Sequence, residues 1–392
     1  MVRIKLELPI DSTFLSETIY EGLLFAIAKS NSVRNFNTQQ IEFEDAFLSN
    51  SFKEAEDYAN VKITLTGNDN INTELFKKLG LTEVKSDKKI NQLFERLHEN
   101  AEGLNSKSEI EIAYKLKGRI VLFDVEDKKE GLSLQLLKVD RYTGFTSIET
   151  TYTCQQLTSY FSKELILISL LGVYSSHVHT LHMPTARGLQ PAYYFLFFSP
   201  DETMNLFSGY NTALVDRLIS IKNRVKKVLR ETLEYSSLNE ILCLQLILDL
   251  EIHKQMENDN LDKLSLILFR VNPEGHTYKI YEVLPLILHR QTLFHSKVRE
   301  FFGDNSESFV KAVSTFLSDR RIRSVLASLN KRTRMNETDQ ILKAIQYLYR
   351  FVVIGDASGL SNFIRSVAEA HEKCKDNKGL SPYLYLIRSF NL

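Results

Sequence analysis

In the first half of the chain, short segments show one of two hydrophobic patterns: the two-residue alternation of a strand or the spacing of a helix. Val2–Leu8 alternates apolar and polar residues, which predicts a β-strand. Leu15–Lys29 carries apolar residues at helical spacing behind a capping cluster at Asp11–Thr13, which predicts a helix. Three strand-like runs joined by short turns predict an antiparallel meander at 109–117, 119–125 and 132–139. The first half is therefore a mixture of strands and helices.

Beyond about residue 205 the pattern becomes helical. Apolar residues step by four and three along one stretch, forming a seam of Leu214, Leu218, Ile221, Val225 and Val228. Leu238–Met256 predicts a second, more apolar helix. Two strand-like runs flank the turn Asn272–Gly275, which predicts a hairpin at about 264–282. Helices follow from Leu286 to the end.

These patterns predict an α+β protein with two domains. We expect a mixed α/β domain with antiparallel strands at 1–205, and a mainly helical domain with an inserted β-hairpin at 206–392. The composition agrees, since 15 Gly and 7 Pro among 392 residues leave few helix breakers. Cys154, Cys243 and Cys374 lie far apart, as expected of reduced, buried thiols. The start of the chain has no signal-peptide core, and the apolar runs are shorter than a membrane span, so we expect a cytoplasmic location away from membranes.

Charged side chains are unevenly distributed along the chain. The chain has 49 basic and 49 acidic side chains, which excludes a protein that is polybasic throughout. Two windows are nevertheless strongly basic. The first holds Arg217, Lys222, Arg224, Lys226, Lys227 and Arg230; the second holds Arg320, Arg321, Arg323, Lys331, Arg332 and Arg334.

Both windows are candidate nucleic-acid contacts, because cationic side chains on a helix can neutralise phosphates and release counterions. Arg217, Arg224 and Lys227 share a helix face by their spacing. Arg187, followed by Gly188, is a further candidate for close approach to a nucleic-acid backbone. The alternative interpretation of either window is a solvated helix face with scattered ion pairs.

Catalytic motifs are weak in this sequence. His177, His179 and His182 form an HxHxxH cluster, but no Asp, Glu or Cys lies nearby in the chain, so a polar loop is the simpler interpretation. Arg290 and His295 match the Arg-x4-His signature of HEPN ribonucleases, a spacing expected by chance in a chain of this composition. Walker A, GxGxxG and GxSxG motifs are absent from the sequence. We therefore predict no catalytic residues, no bound metal and no cofactor.

The order of the segments in the second half resembles a known family. Gln190–Ser199 (QPAYYFLFFS) precedes a basic helix, the apolar helix Leu238–Leu250, the hairpin around Asn272–Gly275 and a helical tail. This order, with the early helix Glu17–Lys29, resembles the large subunit of type I CRISPR interference complexes (Cascade), closest to the archaeal-style, subtype-A-like members. The resemblance covers about residues 190–300 and the start of the chain, and it lies in order and composition.

The resemblance implies a non-catalytic role in antiviral defence. Such a subunit contacts the CRISPR RNA and other Cascade subunits, reads the protospacer-adjacent motif in double-stranded DNA, and recruits a helicase-nuclease that cuts the target. Its helical part lies near the displaced single strand, which a basic surface can hold. Two alternatives from other classes remain: a HEPN-type ribonuclease using Arg290 and His295, and a protein-only scaffold whose basic windows face acidic partners.

Overall fold

The computed structural model describes residues 1–67, 69–81, 89–142, 158–185, 188–290, 293–329, 334–374 and 381–389. They form two compact units. Unit 1 comprises 1–222 and 265–286, and unit 2 comprises 223–264 and 287–392. This division differs from the predicted boundary near residue 205, and most of the hairpin belongs to unit 1. The protein has an α+β fold, as the sequence pattern predicts.

Unit 1 contains a first four-stranded sheet in the order β2-β3-β1-β4. Its strands are β1 (Val2–Leu6), β2 (Val33–Phe36), β3 (Gln40–Phe43) and β4 (Glu109–Ile112). β1 is antiparallel to β3 and parallel to β4. Alternate residues of β1 are buried and exposed, which is the two-residue period that predicted this strand.

The helices of unit 1 begin with α1, which the capping cluster predicts correctly. The helices are α1 (Phe14–Lys29), α2 (Phe47–Lys53), α3 (Asp69–Lys78), α4 (Ile90–Glu99), α5 (Lys163–Ser176) and α6 (Pro200–Ser208). The Thr13 hydroxyl accepts a hydrogen bond from the Ser16 amide at the start of α1. α1 crosses α5 at Gly22 and Gly172, where a Cβ on either residue would overlap a backbone carbonyl of the other helix. Glycine at both positions lets the two backbones touch.

A second four-stranded sheet has the order β11-β10-β9-β8. Its strands are β8 (His177–Thr185), β9 (Gly188–Phe198), β10 (Lys263–Glu274) and β11 (Thr277–His289). β9 is antiparallel to both neighbours, so the hairpin β10–β11 extends a sheet that begins in the first half of the chain. This pairing explains why the hairpin belongs to unit 1. The ring of Phe14 on α1 packs edge-on against Phe195 and Phe197 of β9.

A small three-stranded sheet differs from the predicted meander. It consists of β5 (Tyr114–Lys117), β6 (Ile120–Phe123) and β7 (Thr158–Phe161). β5 and β6 form the predicted hairpin, but β6 is parallel to β7. The expected third strand at 132–139 is largely a 3₁₀ helix, which spans Gln135–Tyr142. Helix α5 begins directly after β7, where the Ser162 side chain caps it by accepting a hydrogen bond from the Leu165 amide.

Helix α7 (Thr212–Leu233) runs from unit 1 into unit 2. The other helices of unit 2 are α8 (Asn239–Leu248), α9 (Leu250–Asn258), α10 (Leu293–Phe302), α11 (Ser306–Ser318), α12 (Arg320–Ser328), α13 (Thr338–Tyr349), α14 (Ala357–Lys373) and α15 (Pro382–Ser389). The apolar faces of these helices, except α9, share one core around Phe309, Phe316, Ile345 and Phe363. The apolar stretch predicted as one helix at 238–256 is two, because Asp249 ends α8 and its carboxylate caps α9.

The hairpin is longer than the sequence predicts. β11 continues through Pro285 to His289, whereas we expected a helix to begin there. Pro285 is compatible with this strand because β11 lies at the edge of its sheet, where proline is tolerated. Among the described residues, no helix has both the length and the apolar content to cross a membrane.

Candidate nucleic-acid interface

The two units differ in charge. Unit 1 contains 26 basic and 31 acidic side chains, a balance of −5, whereas unit 2 contains 23 basic and 18 acidic side chains, a balance of +5. The neutral total therefore conceals a basic helical unit. The excess positive charge of unit 2 favours the binding of a polyanion to this unit.

Lys222 is not a surface cation, and its prediction as a nucleic-acid contact is wrong. Its side chain is fully buried in unit 1, where Nζ donates a hydrogen bond to Oε1 of Glu21 and lies 4.7 Å from the centroid of the Phe198 ring. The Ser175 hydroxyl donates to the same carboxylate oxygen. Burial lowers the pKa of the Lys222 ammonium, although Glu21 acts in the opposite direction. The lysine is a structural ion-pair partner.

Three further residues that the sequence predicts to contact nucleic acid are instead buried or held in ion pairs. Lys226 is buried on α7 and is withdrawn from solvent. Arg224 donates from Nε and Nη2 to the two carboxylate oxygens of Asp249, at 3.2 and 2.5 Å, and this hydrogen bonding raises its pKa. Arg321 pairs with the buried carboxylate of Glu337 at 2.8 Å. These arginines hold helices together, so phosphate binding is not their main role.

Four of the other predicted cations that the structure describes are exposed. Arg217 and Lys227 are exposed on α7, with Arg230 half-buried on the same helix. Arg320 is exposed on α12, and Arg334 is exposed with Asp339 at 3.7 Å. Arg187, Lys331 and Arg332 lie outside the described residues.

Arg323 is different from its neighbours in the second window. Its guanidinium carbon lies 5.0 Å from the centroid of the Tyr235 ring, in the range of a cation–π contact. Its Nε is buried without a hydrogen-bond acceptor, and the described residues supply no carboxylate partner to its guanidinium. Within the described residues, the guanidinium of Arg323 is therefore not neutralised by a carboxylate.

An open groove of about 390 Å³ in unit 2 brings residues of both basic windows together. We call it the Arg323 groove; it is lined by Arg224, Glu231, Tyr235, Gln245, Asp249 and Arg323, among others. Gln245 Nε2 donates a hydrogen bond to the Tyr235 hydroxyl at 3.0 Å, which fixes the ring beneath the guanidinium. Burial raises the pKa of Tyr235, so this hydroxyl stays protonated. Ser314 and Ser318 of α11 add two hydroxyl groups to the wall.

Sequence reasoning missed Tyr235, Gln245 and the carboxylates of the Arg323 groove. One signal was available: Arg224, Glu231 and Tyr235 are spaced by seven and four residues, which places them on one side of a helix and its extension. The pairing of this side with Arg323 joins positions about ninety residues apart. A contact between residues so far apart in sequence cannot be predicted from a local pattern.

The candidate catalytic motifs do not form an active site in the described residues. His177 is buried in β8, not in a loop, and its Nε2 lies 3.1 Å from the Thr180 hydroxyl. In the same described part of the chain, no group of three His, Cys, Asp or Glu is placed to hold a metal ion. Arg290 pairs with Asp262 at 2.6 Å just after β11, and the side chain of His295 lies outside the described residues.

The aromatic run of β9 is a core segment. Tyr193, Tyr194, Phe197 and Phe198 are buried, as the apolar composition of this strand indicates. They are therefore unavailable for stacking on nucleic-acid bases.

Comparison with known proteins places the chain in a family. It is 41% identical over 381 residues to an uncharacterized protein of Archaeoglobus fulgidus, covering 96% of this chain and 95% of the archaeal protein. The chain belongs to the same protein family as this archaeal relative. No model of a protein family and no solved structure matches it.

Proposed function

We propose that this protein is a non-catalytic large subunit of a type I CRISPR interference complex. In this role it binds CRISPR RNA and target DNA in the cytoplasm, contacts other Cascade subunits, reads the protospacer-adjacent motif and recruits the helicase-nuclease. The order of segments from Gln190 to the helical tail supports this assignment by its resemblance to that family. The match to an archaeal relative along nearly the whole chain is compatible with it.

The observation that carries the proposal is the basic helical unit with its Arg323 groove. Unit 2 has an excess of five positive charges, and the groove presents an arginine whose donors have no carboxylate partner among the described residues. Exposed cations such as Lys227 and Arg320 give electrostatic attraction without sequence preference. The acidic unit 1 favours contact with basic partner subunits by charge complementarity.

Recovery of the native assembly tests the proposal. The full chain is purified from its own host through an affinity tag, and the co-purifying RNA and proteins are identified. The chain contains no Trp, so bound RNA raises the ratio of absorbance at 260 nm to that at 280 nm clearly. We expect RNAs of uniform length that share a repeat-derived 5′ end, together with other subunits. Protein partners with no nucleic acid, retained unchanged at high salt, would support the scaffold alternative instead.

A further inference from the structure

The Arg323 groove has the chemistry of a site for an uncharged polar ring. Arg224 and Arg323 face three carboxylates, those of Glu231, Asp249 and Glu251, so the lining is net negative. A phosphate group would meet more negative than positive charge there. A nucleobase carries no charge and presents both donors and acceptors on its edges.

We propose that the Arg323 groove binds one unstacked guanine base of a single-stranded nucleic acid. This inference rests on the proposed function, because it assigns a ligand to the same unit. The volume of about 390 Å³ lies within the range of small-ligand sites and accommodates a purine.

Arg323 supplies the first half of the recognition. The cation–π contact with Tyr235 holds its guanidinium at the groove, and the planar fork of an arginine matches the adjacent O6 and N7 acceptors of guanine. Among the described residues no carboxylate forms an ion pair with this guanidinium, in contrast to Arg321. A base can therefore bind to Arg323 without the loss of an ion pair. By contrast, Arg224 is held by Asp249 and serves to position that wall of the groove.

Glu231 supplies the second half. It is exposed on α7, one turn before Tyr235, and lines the same groove. A carboxylate accepts hydrogen bonds only, and guanine alone offers the adjacent N1–H and N2–H donors beside an acceptor pair. Adenine presents a donor where guanine has O6, so it leaves Arg323 with a mismatched edge.

The test compares oligothymidylates that carry one central guanine, adenine, cytosine, 7-deazaguanine or hypoxanthine. Binding to the purified full chain is followed by fluorescence anisotropy at fixed salt. We expect guanine to bind about tenfold or more tightly than adenine or cytosine, in line with a bidentate arginine contact. Loss of N7 or of the N2 amino group reduces the preference, and Arg323→Lys abolishes it while the protein remains folded.

Variants of surface residues keep the result independent of folding. Glu231→Gln weakens guanine binding with no effect on thymidine, whereas Lys227→Ala, on the same helix but away from the groove lining, weakens all oligonucleotides equally and leaves their ratio unchanged. Equal affinities for all bases, a cytosine preference, or a guanine preference that survives Arg323→Lys would overturn the guanine assignment and leave the proposed function standing. Failure to bind any oligonucleotide at low salt would remove the proposed function as well.

Discussion

The ammonium group of Lys222 pairs with the carboxylate of Glu21 in the interior of unit 1, across 201 positions of sequence. Both side chains are almost completely withdrawn from solvent. The last residue of unit 1 on helix α7 is therefore fixed to helix α1 by charge as well as by packing. Lys222 is therefore part of the core, although it lies in a basic window of the sequence.

Replacing Lys222 with methionine should destabilise the protein by about 3–5 kcal/mol, because the carboxylate of Glu21 is then buried without its partner. Lys227→Met on the same helix changes an exposed side chain and should cost about 0.5 kcal/mol or less. The free energy of unfolding in urea measures both. A Lys222→Met protein as stable as wild type would show that the pair contributes nothing, and the double variant Glu21→Gln/Lys222→Met should recover part of the loss.

Glu17 gives the protein a pH-dependent stability. Burial raises the pKa of its carboxyl group, with Glu21 and Asp11 adding to the effect and Lys222 opposing it, and its Oε1 has no hydrogen-bond partner. Because its pKa is higher in the folded than in the unfolded state, the folded protein binds more protons above the ordinary carboxyl pKa of about 4.3. The contribution of this group to stability is complete below that value and is lost as pH rises through the raised pKa.

Unfolding measured from pH 4 to pH 8 should show this effect as a difference between wild type and Glu17→Gln. The glutamine variant lacks the titration, so its stability relative to wild type should increase with pH. A difference that stays constant over the range would mean that Glu17 titrates alike in both states. Glu7→Gln is a suitable control, because that residue is exposed near the end of β1.

Substitution of the two adjacent arginines at the start of α12 should affect stability to very different extents. Arg321→Ala leaves the buried carboxylate of Glu337 without its cation, which should destabilise unit 2 by about 3 kcal/mol after allowance for the partial exposure of Arg321. Arg320→Ala removes an exposed side chain and should change stability by less than about 0.5 kcal/mol. Thermal unfolding of the two variants makes the comparison. Similar losses for both would contradict the structural role assigned to Arg321.

Much of the fold follows from local patterns. The two-residue period of β1, the cap of α1 and the seam of α7 each depend on residues close in sequence, and the structure agrees with all three. Parallel pairing of β6 with β7 and addition of the hairpin to β9 depend on distant strands. Which strands pair depends on competition among all the possible partner strands. The sequence of a single segment does not contain that information.

The candidate interface was less predictable for the same reason. A basic window indicates how many cations are present, but exposure and pairing decide which of them can bind a ligand. Lys222 lies four residues after Leu218 and three before Val225, both in the apolar seam, so its spacing already indicated the buried face. Its partner Glu21, and the stacking of Arg323 on Tyr235, became apparent only with the tertiary structure.

The salt dependence of single-stranded DNA binding shows directly whether exposed cations of the helical region hold a polyanion. The double variant Lys227→Ala/Arg320→Ala is compared with wild type and with Lys343→Ala/Arg365→Ala, which removes two exposed cations elsewhere in unit 2. We expect a steep negative slope of log K against log salt for wild type and the control. For Lys227→Ala/Arg320→Ala the slope should be shallower by about 1.4, or about 0.7 per phosphate contact. A wild-type slope near zero, or equal slopes for all three proteins, would mean that Lys227 and Arg320 do not hold the nucleic acid.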